Sequence, residues 1–415
     1  MKAIIEMESA NKISLKIYYS ELRKELDDIL SWWMHNTHDA VNGGFVGQVN
    51  EANNPHPAAP KGAVLNSRIL WAFSAGYEIT ENPDHLHLAR IAYQYLRSNF
   101  IDNEHGGIHW TLDARGRPLD TKKQIYALAF GIYACSAYYR ISHTEAARDK
   151  AIALYRQIER YAFDPVNGGY LEAFSRDWQF IDDLRLSPKD ANEKKTMNTH
   201  LHLLEAYTSL VRIWPDALLK QQLLGLVHNF NEHIIDHRNG HLSLFFGEKW
   251  DKKSPVRSFG HDIEAAWLLS EAAASIGDAA LLVETKMNAQ KIAIASVEGL
   301  DADGGLWYEY DPVSGDFIKE KHWWVQAEAM VGFFDQWQQT GDEEWLKRSW
   351  DCWQYTKKYI KDPVYGEWLW GRDGQGKTMP GQDKAGIWKC PYHSSRACIE
   401  LITRIKEVSF KASAQ

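Results

Sequence analysis

The chain has 415 residues, a formal net charge of −8 and 18 tryptophans. A nucleic-acid surface would need clustered Lys and Arg, and no basic patch breaks the acidic balance. No apolar run is long enough to span a bilayer, and MKAIIEMESANKISL places two Glu where a secretory signal would need its apolar core.

The first predicted element is a polar-faced helix over SLKIYYSELRKELDDILSWW, followed by the Asp/Asn/Gly turn HDAVNGGF and an apolar helix, AVLNSRILWAFSAGY, which carries Asn66 and Arg68. The pattern then repeats. HLHLARIAYQYLRSNF and DNEHGGIHW lead to KQIYALAFGIYACSAYY, with Phe130. EAARDKAIALYRQIERYAF and DPVNGGYL lead to KTMNTHLHLLEAYTSLVRIW, with Asn198, His200 and His202. LLKQQLLGLVHNFNEHII and DHRNGHLSL lead to GHDIEAAWLLSEAAASI, opened by His261 with Glu264 three residues on. AALLVETKMNAQKIAIAS and DADGGLWY lead to WWVQAEAMVGFFDQW, with Trp324 and Glu328 four apart. EEWLKRSWDCWQYTKKYI and DPVYGEWLW lead to YHSSRACIELITRI, with His393 and Arg396 three apart.

The central glycines of the six turns, Gly44, Gly107, Gly169, Gly240, Gly305 and Gly366, recur about every 60 to 70 residues, enough for two helices and their connections. Six copies imply about twelve helices in a closed toroid or open solenoid. A helix apolar nearly all round is buried, so six inner and six outer helices are expected: an all-α (α/α)6 barrel. The repeat spans almost the whole chain without a Pro/Gly/Ser-rich linker, so residues 1–415 are expected to form one catalytic domain, with 1–13 and 408–415 as flexible tails. Cys135, Cys352, Cys390 and Cys398 lack metal or redox spacing and read as reduced core residues of a cytoplasmic protein.

Each polar residue on an inner helix has a plain alternative: a histidine at a helix start can be a cap or a satisfied interior group, and a helix-terminal Arg or Glu an ion pair. Their equivalent positions change the reading, because they must converge on one axis, and burying them together without function would cost stability. His200 and His202, two apart on a helix, face different directions and do not chelate one ion. No HExxH motif or phosphate loop is present, so no metal, nucleotide or other cofactor is expected. Histidines can serve as base and acid near neutral pH, which suits proton transfer at a sugar carbon. The tryptophans either fill the space between helices or offer faces to a pyranose ring. Glu264 and Glu328 keep open the two-carboxylate mechanism of a glycoside hydrolase.

PKGAVLNSRILWAFSAGY, KTMNTHLHLLEAY, SFGHDIEAAWLL, HWWVQAEAMVGF and WKCPYHSSRACIE, in that order, closely resemble the N-acylglucosamine 2-epimerase superfamily and, within it, the cellobiose 2-epimerases. The resemblance implies the same barrel and inversion of C2 in the reducing-end sugar of a β-1,4-linked disaccharide such as cellobiose, lactose or mannobiose. It casts His261 and His393 as the acid/base pair and His202 as the histidine that assists ring opening or stabilises the intermediate. It places Arg68 at the O1/O2 region, with Asn198, Glu264, Trp324 and Glu328 around the reducing-end sugar, Trp388 under the second sugar and Phe130 in the lumen. Ser394 departs from the Asn expected after the Tyr-His pair. The partner implied is a disaccharide with a free reducing end, with no nucleic acid and no membrane, for a monomer or weak homodimer. Monosaccharide 2-epimerases, aldose-ketose isomerases, a hydrolase and a non-catalytic sugar-binding protein are the alternatives.

Overall fold

The structure, a computed structural model, describes residues 13–413. Twelve α-helices run through them: α1 (Leu15–Thr37), α2 (Ala63–Thr80), α3 (Pro83–Tyr95), α4 (Ile125–Ser142), α5 (Glu145–Tyr161), α6 (Met197–Ile213), α7 (Ala217–Asn229), α8 (Phe259–Ile276), α9 (Ala279–Ser296), α10 (Trp323–Thr340), α11 (Glu343–Tyr355) and α12 (Tyr392–Ser413). Short π-helical turns extend α3, α7 and α11. The tail expected at 408–415 overlaps α12, while residues 1–12 and 414–415 lie outside the described residues. Among the described residues no helix is long and apolar enough to cross a membrane.

The even-numbered helices are the apolar ones, and they are buried on nearly every face. They pack in a closed circuit, α2 on α4, α4 on α6, α6 on α8, α8 on α10, α10 on α12 and α12 back on α2. Each odd-numbered helix from α3 to α11 backs the even-numbered helix before it, and α1 backs α12, so the two ends of the chain make the sixth helix pair. The outer helices keep a wet face; that of α9 mixes exposed Val283, Met287 and Ile294 with exposed Glu284, Lys286, Gln290 and Lys291.

Connections differ at the two ends of the molecule. From inner to outer helix they are short: a left-handed residue closes α2, α4, α8 and α10 (Glu81, His143, Gly277, Gly341), and the next residue is the N-cap of the outer helix. Asn82, Asp278 and Asp342 cap with their side chains. From outer to inner helix the connections are long and contain the six Asp/Gly turns. In every turn the leading Asp and its glycine close a backbone loop, as in Gly43 N–H to the Asp39 carbonyl at 2.9 Å. Gly44 shows why glycine is required: its φ is +64°, and a Cβ there would lie 2.5 Å from the Tyr95 ring.

Two- and three-residue strands also occupy these connections. The residues just ahead of one inner helix pair antiparallel with those after the next turn: Lys61 with Leu112, Lys123 with Phe174, Lys195 with Phe246, Arg257 with Tyr310 and Lys321 with Arg372. A bridge from Val49 to Ala385 closes the series. Every inner helix therefore starts at the stitched end.

Candidate active site

Equivalent positions on the inner helices supply the site. The sixth residue of five of them is Arg68, Phe130, His202, Glu264 and Glu328, and the fifth of α12 is Arg396. All six are buried. One position earlier or more on the same turns stand Asn198, His261, Trp324, Tyr126, Tyr392 and His393.

Arg396 is the hub. Its Nη2 bonds Glu264 Oε1 at 2.6 Å and Glu328 Oε1 at 2.7 Å, while Nη1 bonds Glu205 and the Tyr392 hydroxyl. Its guanidinium lies over Trp267 and Tyr392, 4.8 and 4.2 Å from the ring centres. Glu328 also meets His393 Nδ1 at 2.6 Å and accepts the Trp267 indole N–H at 3.2 Å. Glu205 meets His202 Nδ1 at 3.0 Å and accepts the Tyr392 hydroxyl. His261 Nδ1 lies 2.8 Å from Ser258 Oγ. In all three histidines the Nδ1 nitrogen is engaged, and among the described residues nothing bonds their Nε2. A carboxylate at Nδ1 fixes the tautomer that leaves the Nε2 lone pair free.

Trp324 lies between two of these rings, 4.7 Å from His261 and 5.7 Å from His393. Arg68 stacks on Phe130 at 4.1 Å and Tyr392 at 4.6 Å, donates to the Tyr126 hydroxyl at 2.8 Å, and reaches Cys390 Sγ at 3.6 Å. Three polar atoms of these residues, Arg68 Nε, Asn198 Oδ1 and Arg396 Nε, are buried without a partner. Trp388 stands half-buried at the edge, 6.1 Å from Tyr126 and 5.9 Å from Trp110. Ser394 turns inward, donating to the Pro391 carbonyl at 3.3 Å.

Burial sets the protonation states. It lowers His261 to about 3, helped by the nearby His202, and holds His393 well below the ordinary histidine value together with Arg68 and Arg396. Burial, reinforced by Glu328, raises Glu264 to about 7. Glu205 goes the other way: burial would raise it, but Arg396 and the bonds from His202 and Tyr392 hold it near 2.

The chain matches the N-acylglucosamine 2-epimerase (GlcNAc 2-epimerase) family over residues 43–397. It belongs to this family. A cellobiose 2-epimerase of Bacteroides fragilis is 47% identical over 388 residues, covering 93% of this chain and 99% of the relative. One from Dictyoglomus turgidum is 36% identical, covering 95% and 100%. The solved cellobiose 2-epimerase of Bacillus thermoamylovorans B4167 superposes with a TM-score of 0.89 at 38% identity, over 94% of this chain and all of the other.

In this 2-epimerase family member the residues expected from sequence come together on one set of helix starts, with Trp388 at the rim. Sequence reasoning missed Glu205, Tyr126 and Tyr392, and left Arg396 out of the site although it noticed the residue. Their signal was position: Arg396 aligns with Arg68, Phe130, His202, Glu264 and Glu328 once the repeats are superposed. His200 has a separate task, bonding the Thr196 carbonyl through Nδ1 at 2.7 Å and accepting the Tyr170 N–H at Nε2 at 3.0 Å. Ligand atoms of Glu264, Glu328 and His393 lie within 4.8 Å of one another. That set does not fit a metal ion, because Arg396 already places its positive charge against both carboxylates and His393 faces Glu328 with Nδ1.

Proposed function

We propose that the chain is a cofactor-independent cellobiose 2-epimerase, built as a single (α/α)6-barrel domain, that interconverts glucose and mannose at the reducing end of β-1,4-linked disaccharides. The observation that carries this reading is the set of three histidines from three helices, each held by a protein oxygen at Nδ1 and unengaged at Nε2, beside Arg68. Two-carboxylate hydrolysis is poorly served here, since Glu264 and Glu328 lie side by side on one guanidinium rather than flanking a bond from two sides.

Opening of the reducing-end ring exposes a C1 aldehyde, which acidifies the C2 hydrogen. His261 or His393 takes that proton on Nε2. Both are kept neutral by burial, so each can accept one, and negative charge on the sugar then favours the imidazolium that forms. The cis-enediolate is stabilised by Arg68, whose Nε is unspent, with His202 beside it. The other histidine, which takes a proton from solvent on its Nε2 as negative charge forms on the sugar, gives that proton to the opposite face of C2, and the first histidine then releases the C2 proton to solvent. Glu205 and Glu328 orient His202 and His393, and Trp324 spaces His393 from His261. Asn198 and Glu264 hold sugar hydroxyls, Phe130 backs Arg68, and Trp388 stacks on the second sugar. No change of oxidation level occurs, so no redox cofactor is required.

Chromatography of the products from cellobiose tests the reading. Glucosyl-mannose is expected as the main product, and its formation should fall by about a thousandfold in His261→Ala and in His393→Ala. Free glucose would mark a hydrolase, and turnover of free mannose or N-acetylglucosamine alone would mark a monosaccharide enzyme.

A further inference from the structure

In five of the six turns a buried lysine neutralises the leading aspartate: Lys61 on Asp39, Lys123 on Asp102, Lys195 on Asp164, Lys321 on Asp301 and Lys384 on Asp362, at 2.6 to 2.9 Å. The fourth turn departs from this. Arg257 stands two residues ahead of α8, as Lys61, Lys123, Lys195 and Lys321 stand ahead of their helices, yet it reaches Glu298 at 3.3 Å. Asp236 pairs instead with the exposed Arg238.

The polar group inside the fourth turn is His241, which is 2% exposed. Its Nδ1 lies 2.7 Å from Asp262 and its Nε2 3.2 Å from Glu298. A neutral imidazole has one N–H, so carboxylates at both nitrogens call for the imidazolium. Asp262 is fully buried, and its other oxygen accepts the Leu242 N–H at 2.9 Å. Elsewhere the ion pair ties a turn to the segment before a helix. Here it grips the first turn of α8 itself, at the residue between His261 and the helix interior that carries Glu264.

We propose that His241 is a positioning residue for His261: its imidazolium, held between Asp262 and Glu298, fixes the first turn of α8, and the hold loosens when His241 loses its proton. The proposal rests on the reading of His261 as an acid/base residue. The groups facing His241 are Asp262 from α8 and Glu298 from the turn after α9, with Arg257 beyond Glu298 and the Phe259 ring 6.0 Å away. Burial opposes protonation of His241, but the two carboxylates outweigh it and keep its pKa above the ordinary 6.5. A raised folded-state pKa gives a stabilisation that is complete below 6.5 and is lost as pH rises through the raised value. The loosening therefore belongs to the alkaline limb of activity.

The test is kcat and KM against pH for three variants. His241→Gln keeps an amide donor for Asp262 without a titrating charge. Its kcat should fall about tenfold with KM nearly unchanged, and one ionisation should vanish from its alkaline limb. Glu298→Gln alters a side chain that is 51% exposed, so folding is preserved, and its alkaline limb should move about 0.5 pH unit downward. Wild-type kcat and limbs in both, with only the melting temperature lowered, would make the pair a scaffold and overturn the proposal. His261→Asn separates the two readings: loss of activity there with unchanged limbs in the others overturns this inference alone, whereas full activity in His261→Asn overturns both.

Discussion

Arg396 is fully buried among three carboxylates, and its single charge does not serve them alike: it keeps Glu205 ionised, while burial and the neighbouring Glu328 outweigh it and raise Glu264 to about 7. Removing it leaves buried negative charge uncompensated, so Arg396→Met should cost about 3 to 5 kcal/mol in denaturant unfolding. A Lys at the site would not restore the fork that spans Glu264 and Glu328. His200 makes an opposite case, because burial lowers it to about 4 and it works as a neutral bridge. Gln326, at the matching position of α10, makes the equivalent bonds to the Leu306 N–H and the His322 carbonyl. His200→Gln should therefore fold and keep activity. A histidine depressed from 6.5 to about 4 has its full stabilising effect above pH 6.5 and loses it as pH falls toward 4. Relative to His200→Gln, the wild type should lose about 3 kcal/mol between those limits, and a pH-independent difference would contradict the assignment. The histidines and Arg68 were legible in the sequence because polar groups on apolar helices stand out. Glu205 was not: three residues from His202 it reads as an ordinary helix pair, and only the fold brings Arg396 to it from 191 residues away.

At the level of elements, the helices follow directly from apolar periodicity, and their short inner-to-outer links follow from a left-handed residue and an N-cap. Glu81 and His143 hold that left-handed conformation without being glycine, at φ 54° and 52°. Glu81→Gly should raise stability by roughly 0.5 to 1 kcal/mol, read as an upward shift in melting temperature, since Cβ strain at φ > 0 is removed. The two-residue strands escape sequence reading because a period of two cannot be seen in two residues.

Over the whole molecule, the six turns and their spacing announced twelve helices in a closed toroid or an open solenoid, and the six helices apolar nearly all round pointed to the closed barrel. Closure depends on groups far apart in sequence. α1 packs on α12, Trp33 donates to Glu367 at 2.8 Å, Trp368 donates to Glu25 at 2.7 Å, and the Val49 N–H reaches the Ala385 carbonyl at 2.9 Å. Closure is what gives the inner helix starts a common centre and gathers the histidines of α6, α8 and α12 around it, where the proposed reaction places the C2 carbon. The central claim is proton exchange at that carbon, so the decisive measurement is NMR of cellobiose incubated with the protein in deuterated water. Glucosyl-mannose carrying deuterium at C2, absent with His261→Ala or His393→Ala, is the predicted result. Epimer formed without solvent deuterium at C2, or cleavage to glucose, would contradict it.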